Sequence, residues 1–124
     1  MLSGAALTER IIGLAMDVHR HFGPGLLESV YEQCLCFELA QAGIPHKRQA
    51  PLPVVYKSLR MATAFRADVL VADEVIVELK SIERLSPVHE AQVLTYLRMT
   101  GYRVGLLMNF NSLRLKDGLR RFVM

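Results

Sequence analysis

The chain has 124 residues, of which 52% are hydrophobic and 22% are charged, and its net charge is +3. This length is enough for one hydrophobic core and too short for two, so we expect a single domain over residues 1–124. The small basic excess is compatible with a polyanionic partner but does not require one. The hydrophobic fraction is high for so short a domain, which favours a homodimer that covers leftover apolar surface.

No targeting or membrane segment is expected. The first residues do not resemble a signal peptide, because Glu9 and Arg10 interrupt them, and no stretch approaches the roughly 18 unbroken apolar residues that span a bilayer. Cys34 and Cys36 lie two apart on a predicted helix, where their side chains diverge. We therefore expect a soluble, cytoplasmic protein that makes no membrane contact and has buried, reduced thiols.

Apolar spacing predicts two helices at the start of the chain. The first begins at Thr8 as its N-cap, runs to about Phe22, and ends at residues 23–25 (GPG). The second begins between residues 26 and 28 and runs to Ala42, with Gly43 as its stop. A strand over residues 49–56 follows, and its two prolines, at 51 and 53, favour a sheet edge because they cannot donate to a ladder.

The second half of the chain predicts a hairpin, a helix and a strand. A turn over residues 57–60 precedes the hairpin, which joins residues 66–71 to residues 75–80. Ser86 is a suitable N-cap for a helix that runs to Thr100, with Gly101 just beyond it. Residues 103–109 form an apolar strand, and residues 113–123 form a basic tail that can hold a last strand. The order ααβββαβ predicts an α/β fold with a mixed central sheet flanked by helices.

The hairpin joins residues 66–71 to residues 75–80. If its loop is centred on Asp73, the antiparallel register places Asp68 opposite Glu78. It likewise pairs Leu70 with Ile76 and Arg66 with Lys80. One face is then wholly apolar and should pack on helices: Ala67, Val69, Val71, Val75, Val77 and Leu79. The other face carries the three cross-strand pairs: Arg66 with Lys80, Asp68 with Glu78, and Leu70 with Ile76.

Two carboxylates directly opposite each other repel, so Asp68 and Glu78 need a cation or a shared proton between them. A divalent metal ion would meet this need. The alternative is that the two carboxylates form ion pairs with Arg66 and Lys80 on a solvated sheet face. A register shift or a bulge would place the carboxylates on opposite faces.

Asp68, followed after nine residues by Glu78-Leu79-Lys80, resembles the signature of the PD-(D/E)XK nuclease superfamily, although Ala67 stands where that pattern has proline. Further runs resemble the GxxExxY proteins, a branch of that superfamily. These are residues 25–31 (GLLESVY), 65–68 (FRAD), 77–80 (VELK), 87–92 (PVHEAQ), 94–97 (LTYL) and 115–118 (LKDG). The resemblance extends from about Ile11 to the carboxyl end and implies a restriction-endonuclease-like core.

The resemblance also implies a chemistry, the metal-dependent hydrolysis of phosphodiester bonds in DNA, with RNA as the second choice. Asp68, Glu78, the Leu79 carbonyl and Glu28 would hold Mg²⁺, or Mn²⁺ in its place. Lys80 would hold the attacking water and offset charge on the phosphate. Gln92 would orient water or substrate. The remaining candidates are substrate contacts: Arg66, Tyr31, His89, Tyr96 and Lys116.

Each role has a structural alternative. Glu28 can complement a helix dipole, Tyr31 and Tyr96 can be packing residues, and Lys116 can belong to a solvated basic edge. For the whole protein, the alternative from another class is a nucleic-acid-binding or assembly module that keeps this fold, does not cut, and works with an unidentified protein partner. A purely structural homodimer is a third possibility, but it leaves the opposed carboxylates unexplained.

Overall fold

The computed structural model describes residues 2–124, apart from the side chain of residue 64. In this range the chain forms helices α1 (Gly4–Phe22), α2 (Glu28–Gln41) and α3 (Pro87–Thr100) and a short 3₁₀ helix, η1 (Leu115–Gly118). The strands are β1 (His46–Tyr56), β2 (Leu59–Val71), β3 (Val75–Lys80), β4 (Val104–Asn109) and β5 (Leu119–Val123). No helix within residues 2–124 is long and apolar enough to cross a membrane.

The five strands form one mixed sheet in the order β1-β2-β3-β4-β5. β3 and β4 are parallel, and α3 makes the crossover between them, whereas the other neighbours are antiparallel. This confirms the predicted α/β class with a mixed sheet. The proline-containing β1 lies at an edge, as predicted.

Helices cover both faces of the sheet. α1 and α2 pack on one face, against a cluster that includes Val69, Val77 and Leu106. α3 packs on the other face, where Leu70 and Ile76 are buried. This second face, on which the sequence predicted the polar pairs, is therefore covered by a helix and is not exposed to solvent. β3 is buried along nearly its whole length because a parallel crossover places a helix over the second face.

The predicted hairpin register is confirmed for three pairs, Val69 with Val77, Leu70 with Ile76 and Val71 with Val75. The ladder then ends. The expected backbone pairs Asp68–Glu78 and Arg66–Lys80 are wrong, because β2 leaves β3 at this point and continues as the partner of β1. Ala67 accordingly packs with the α3 cluster instead of beside Val69.

Several boundaries differ from the sequence predictions. α1 begins at Gly4, with Ser3 as its N-cap, and Thr8 lies inside the helix, where its hydroxyl donates to the Gly4 carbonyl at 3.1 Å. β1 and β2 are longer than predicted, so the turn between them is only Lys57 and Ser58. Each strand is extended by the other, which is a non-local effect that short sequence windows miss.

Both cysteines are free, as predicted, but they are half-buried instead of buried. Burial raises the pKa of the Cys36 thiol to about 11, and the negative charge of Glu32 acts in the same direction. The reactive thiolate is therefore scarce near neutral pH. Cys36 is best described as a packing residue on α2.

Candidate active site

Two carboxylates occupy the fork where β2 and β3 separate. Asp68 Oδ2 accepts a hydrogen bond from the Leu79 backbone N–H at 2.8 Å, and Glu78 Oε1 accepts one from the Asp68 backbone N–H at 3.3 Å. Each side chain thus bonds the backbone of the opposite strand, in place of the ladder bonds that end at Val69 and Val77. One oxygen of each carboxylate is fixed by the opposite strand.

The pair is held in a poorly solvated place. Glu78 is 8% exposed, and burial raises its pKa to about 8, with a further contribution from the negative charge of Asp68. The pKa of Asp68 is also raised, mainly by burial. Lys80 lies close enough to lower the pKa of both carboxyl groups. The two groups cannot both be charged without a cost unless positive charge enters the fork.

The predicted alternative, ion pairs with Arg66 and Lys80, is wrong. Among residues 2–124, neither Asp68 nor Glu78 takes part in an ion pair. Arg66 instead donates to the backbone carbonyl of Gln49 at 3.2 Å and is exposed. Within residues 2–124, the cationic side chain that lowers the pKa of both carboxyl groups is that of the nearby Lys80.

The loop before α2 brings Glu28 to this fork. Gly25 has a φ of 104°, which favours glycine. The Tyr31 hydroxyl donates to the Gly23 carbonyl at 2.7 Å and accepts from the Leu26 N–H at 3.1 Å. Ser81, next to Lys80 in the chain, donates to the Leu26 carbonyl at 2.6 Å. The loop is thereby fastened to the strand that carries Glu78.

Glu28 is exposed in the first turn of α2, and its carboxyl group interacts electrostatically with the charged groups at the fork. Partial burial raises its pKa, the charge of Asp68 raises it further, and Lys80 lowers it. Tyr31, one turn later, has no exposed surface and stacks on Phe110 with ring centroids 4.6 Å apart. No atom of Tyr31 is open to a substrate, so its predicted substrate contact is replaced by an anchoring role.

Two residues at the site were missed from the sequence. Glu32 is 4% exposed, forms an ion pair with Arg48, and accepts from Gln49 Nε2 at 2.8 Å. Gln49 Nε2 also lies 3.5 Å from Asp68 Oδ1. Glu32 follows Glu28 by four residues, a spacing that places both on one helix face and could have identified it. Gln49 gave no signal, because its position depends on a local φ of 52° within β1.

α3 supplies the opposite wall. Tyr96 stacks on Phe65 with ring centroids 3.8 Å apart, and its pKa is raised by burial and then by the charges of Glu78 and Asp68. The side chain of Gln92, one turn earlier, is exposed. His89 Nδ1 accepts from the Ser86 N–H at 2.9 Å and closes a capping box, so this ring nitrogen serves the helix start.

Within the described residues, the Lys116 side chain forms no hydrogen bond or ion pair with Asp68 or Glu78. It is exposed on η1 and lines a cavity of about 470 Å³ together with His19, Arg20 and Arg114. This cavity lies between the end of α1 and η1.

Within residues 2–124, no three His, Cys, Asp or Glu side chains form a ready-made metal cage. The donors at the fork nevertheless fit a hard divalent cation, which prefers carboxylate oxygens and keeps several waters, so that few protein ligands are needed. Asp68 and Glu78 each retain an oxygen that is not fixed by the opposite strand. A cation there would also offset the repulsion between them.

An α/β core with paired carboxylates and a lysine where a strand hairpin opens is the arrangement of a restriction-endonuclease-like domain. Residues 5–122 match a family model described as the PD-(D/E)XK nuclease superfamily, and the chain belongs to this superfamily. Comparison with curated proteins and with solved structures gives no significant match. The superfamily prediction is confirmed, and the narrower GxxExxY assignment stays a prediction.

Proposed function

We propose that this protein is a Mg²⁺-dependent nuclease of the GxxExxY branch, that residues 1–124 form one catalytic domain, and that its substrate is DNA. The superfamily match favours a nuclease. The observation that carries the proposal is the cross-bonded pair of Asp68 and Glu78 beside Lys80 at the hairpin fork. A purely structural domain has no use for a buried and a half-buried carboxylate that repel each other.

The metal ligands in this proposal are Asp68, Glu78, the Leu79 carbonyl and, through water, Glu28. A bound Mg²⁺ would stabilise charge on the phosphate and lower the pKa of a bound water. Mn²⁺ takes similar oxygen ligands and should replace it. The backbone bonds to Asp68 and Glu78 keep the two carboxylates in place before any ion arrives, which reduces the cost of ordering them.

Lys80 is the residue that handles the nucleophile. It lies two residues after Glu78, so both side chains project from one face of β3. Its ammonium group can hold the attacking water and donate to a phosphate oxygen as negative charge develops there. In this proposal, Tyr96 and Gln92, which lie one turn apart on α3, position the substrate, and Arg66 contacts its phosphates.

A cleavage assay tests this function. Wild type, Asp68→Ala and the matched control Glu9→Ala, an exposed carboxylate on α1, are incubated with single- and double-stranded DNA and RNA in Mg²⁺, Mn²⁺ or EDTA. We expect metal-dependent cutting of DNA by wild type and Glu9→Ala, and a loss of about 100-fold or more in Asp68→Ala, since a metal ligand is removed. Equal cutting by Asp68→Ala would disprove the assignment. Absence of both metal binding and cleavage in wild type would favour the non-cutting module.

A further inference from the structure

The β1–β2 hairpin continues well past the rest of the sheet. β2 pairs with β3 only over residues 69–71, whereas its pairing with β1 extends to Leu59 opposite Tyr56. Ten residues of β2, 59–68, therefore lie beyond the β3 ladder, a length of roughly 33 Å at about 3.3 Å per residue. We call residues 50–67 the arm. It is a two-stranded ribbon that begins next to the candidate active site.

Near the fork, one side of the arm is covered and the other is open, whereas residues 55–63 at its outer end are all exposed. Leu52 and Val54 are buried, and Phe65 stacks on Tyr96 of α3. The alternating residues of β1 are exposed: Pro51, Pro53 and Val55. Cross-strand pairing places Arg66 opposite Pro51 and Arg60 opposite Val55. Two arginines thus lie on the open face of the ribbon.

The charge of the arm has one sign. Lys57, Arg60 and Arg66 are its charged residues, all three are exposed, and the arm contains no Asp or Glu. Within residues 2–124 none of the three forms an ion pair. Three unneutralised cations along one open ribbon are a surface for a polyanion.

The tip of the arm has an uncommon conformation. Lys57 occupies the two-residue turn with a φ of 54°, a region that favours glycine or asparagine. A lysine there is unfavourable for the turn itself, and it carries a positive charge to the far end of the ribbon. Local strain of this kind is typical of positions that serve binding.

A second copy of the chain is a poor occupant for this face. A twofold contact that stacked the open faces of two arms on each other would bring their arginines together, and these like charges would repel. A nucleic acid offers the opposite charge. The major groove of B-form DNA, about 12 Å wide, admits a two-stranded ribbon, whereas that of an A-form RNA duplex is too deep and narrow.

We propose that the arm holds double-stranded DNA by its backbone and directs it across the fork, an inference that rests on the proposed nuclease function. Arg66 joins the two regions: it lies two residues before Asp68 and donates to the carbonyl of Gln49, whose side chain lies beside Asp68. A duplex lying along the open face reaches Asp68 where the arm begins. The arm therefore supplies affinity and orientation, and it carries none of the cutting residues.

The test measures binding separately from cutting. The affinity for a labelled DNA duplex, about two helical turns long, is measured by fluorescence anisotropy. The titrations are done in EDTA at salt concentrations between about 50 and 200 mM. The arm variant is Lys57→Gly with Arg60→Ala. Glycine suits the φ at residue 57, so the hairpin should keep its fold, which thermal unfolding checks. The control, Arg10→Ala with Arg98→Ala, removes the same charge from exposed positions on α1 and α3.

We expect the arm variant to bind about tenfold or more weakly, and the slope of log affinity against log salt to shrink by about 2, since two phosphate contacts are lost. The control should keep the wild-type slope. Equal losses in both variants, or an unchanged slope in the arm variant, would overturn the proposal. Tighter binding of duplex RNA than of duplex DNA by wild type would overturn it as well. DNA binding through the arm without cleavage by wild type would support the arm and reject the nuclease function.

Discussion

At the scale of single residues, the site is built by side chains that complete a backbone ladder. Asp68 and Glu78 accept the N–H groups that β2 and β3 leave unpaired where they separate. A buried N–H without an acceptor would destabilise the fold, so the two carboxylates serve stability through one oxygen. The other oxygen of each is not bonded by the opposite strand.

Glu78 makes the stability of the metal-free protein fall as pH rises. Burial moves its pKa from 4.5 to about 8, so between these values the unfolded chain has released a proton that the folded chain keeps. The unfolded state then binds fewer protons, and the free energy of unfolding decreases with pH until the folded carboxyl also ionises. We expect Glu78→Gln to lose this decrease. Urea unfolding in EDTA between about pH 5 and pH 9 measures the difference.

The matched control for this experiment is Glu9→Gln, which changes an exposed carboxylate of α1. It should follow the wild-type profile at every pH. A Glu78→Gln profile parallel to that of wild type would show that Glu78 is ionised in the folded protein near its ordinary pKa.

Gln49 positions Asp68 and Glu32, and its substitution should weaken the site without weakening the fold. Its φ of 52° is one that glycine adopts freely, so Gln49→Gly removes the side chain and relieves the backbone. We expect metal affinity, measured by calorimetry, to fall about tenfold, as is typical when a group behind a metal ligand is removed. Lys57→Gly, the same change at another positive φ, should keep its metal affinity. Equal affinities in both variants would contradict the positioning role.

At the scale of elements, local signals predicted those elements whose ends are set locally. α3 begins at Ser86 and Pro87 and ends at Gly101, as predicted, because a cap, a proline and a glycine with φ of 83° all act within a few residues. β2 was underestimated by seven residues at its start, Leu59 against residue 66, because its first half exists only by pairing with β1. Pairing between distant segments has no local sign.

The candidate site divides in the same way. Asp68, Glu78 and Lys80 were found because they lie on one hairpin, and the predicted register holds up to the pair next to them. Glu32 and Gln49 escaped because they reach the fork from α2 and β1 through tertiary packing. The burial of Tyr31 against Phe110 has no local sign in the sequence, because Phe110 follows β4, far along the chain.

The close packing of α3 on the sheet depends on Gly105 of β4. A Cβ there would lie 2.8 Å from Val93 Cγ1 and 3.3 Å from Leu97 Cδ1, so Gly105→Ala must push α3 away from the sheet. We expect a loss of about 1–3 kcal/mol in the free energy of unfolding, which is typical of overpacking. Cleavage should fall too, since α3 carries Tyr96.

The control is Gly13→Ala in α1, where an added Cβ meets no atom within 4 Å. Alanine is the better helix former, so this variant should gain about 0.5–1 kcal/mol and keep full cleavage. Denaturant unfolding gives both energies. A Gly105→Ala protein as stable as wild type would show that α3 adjusts its packing and that its position on the sheet does not require the glycine.

At the scale of the whole molecule, two layers of helices close the sheet, and the fork is the place where the sheet opens. The side chains around the fork come from α2, β1, β2, β3 and α3, so the site forms only when the whole fold has formed. Negative charge is collected at the fork and positive charge on the arm beside it. A phosphate chain that follows the arm arrives at carboxylates, which admit it only with a cation between them.

This arrangement predicts that Mg²⁺ stabilises the folded protein in a pH-dependent way. An ion that binds only the folded state raises the midpoint of thermal unfolding, and protons compete with it for Glu78, whose pKa is about 8. The rise should therefore be larger at about pH 8 than at about pH 6. Asp68→Ala should lose most of it, and Glu9→Ala should keep it in full. A rise of the same size in Asp68→Ala would place the ion elsewhere and contradict the site, and a rise independent of pH would show that Glu78 gives up no proton to the metal.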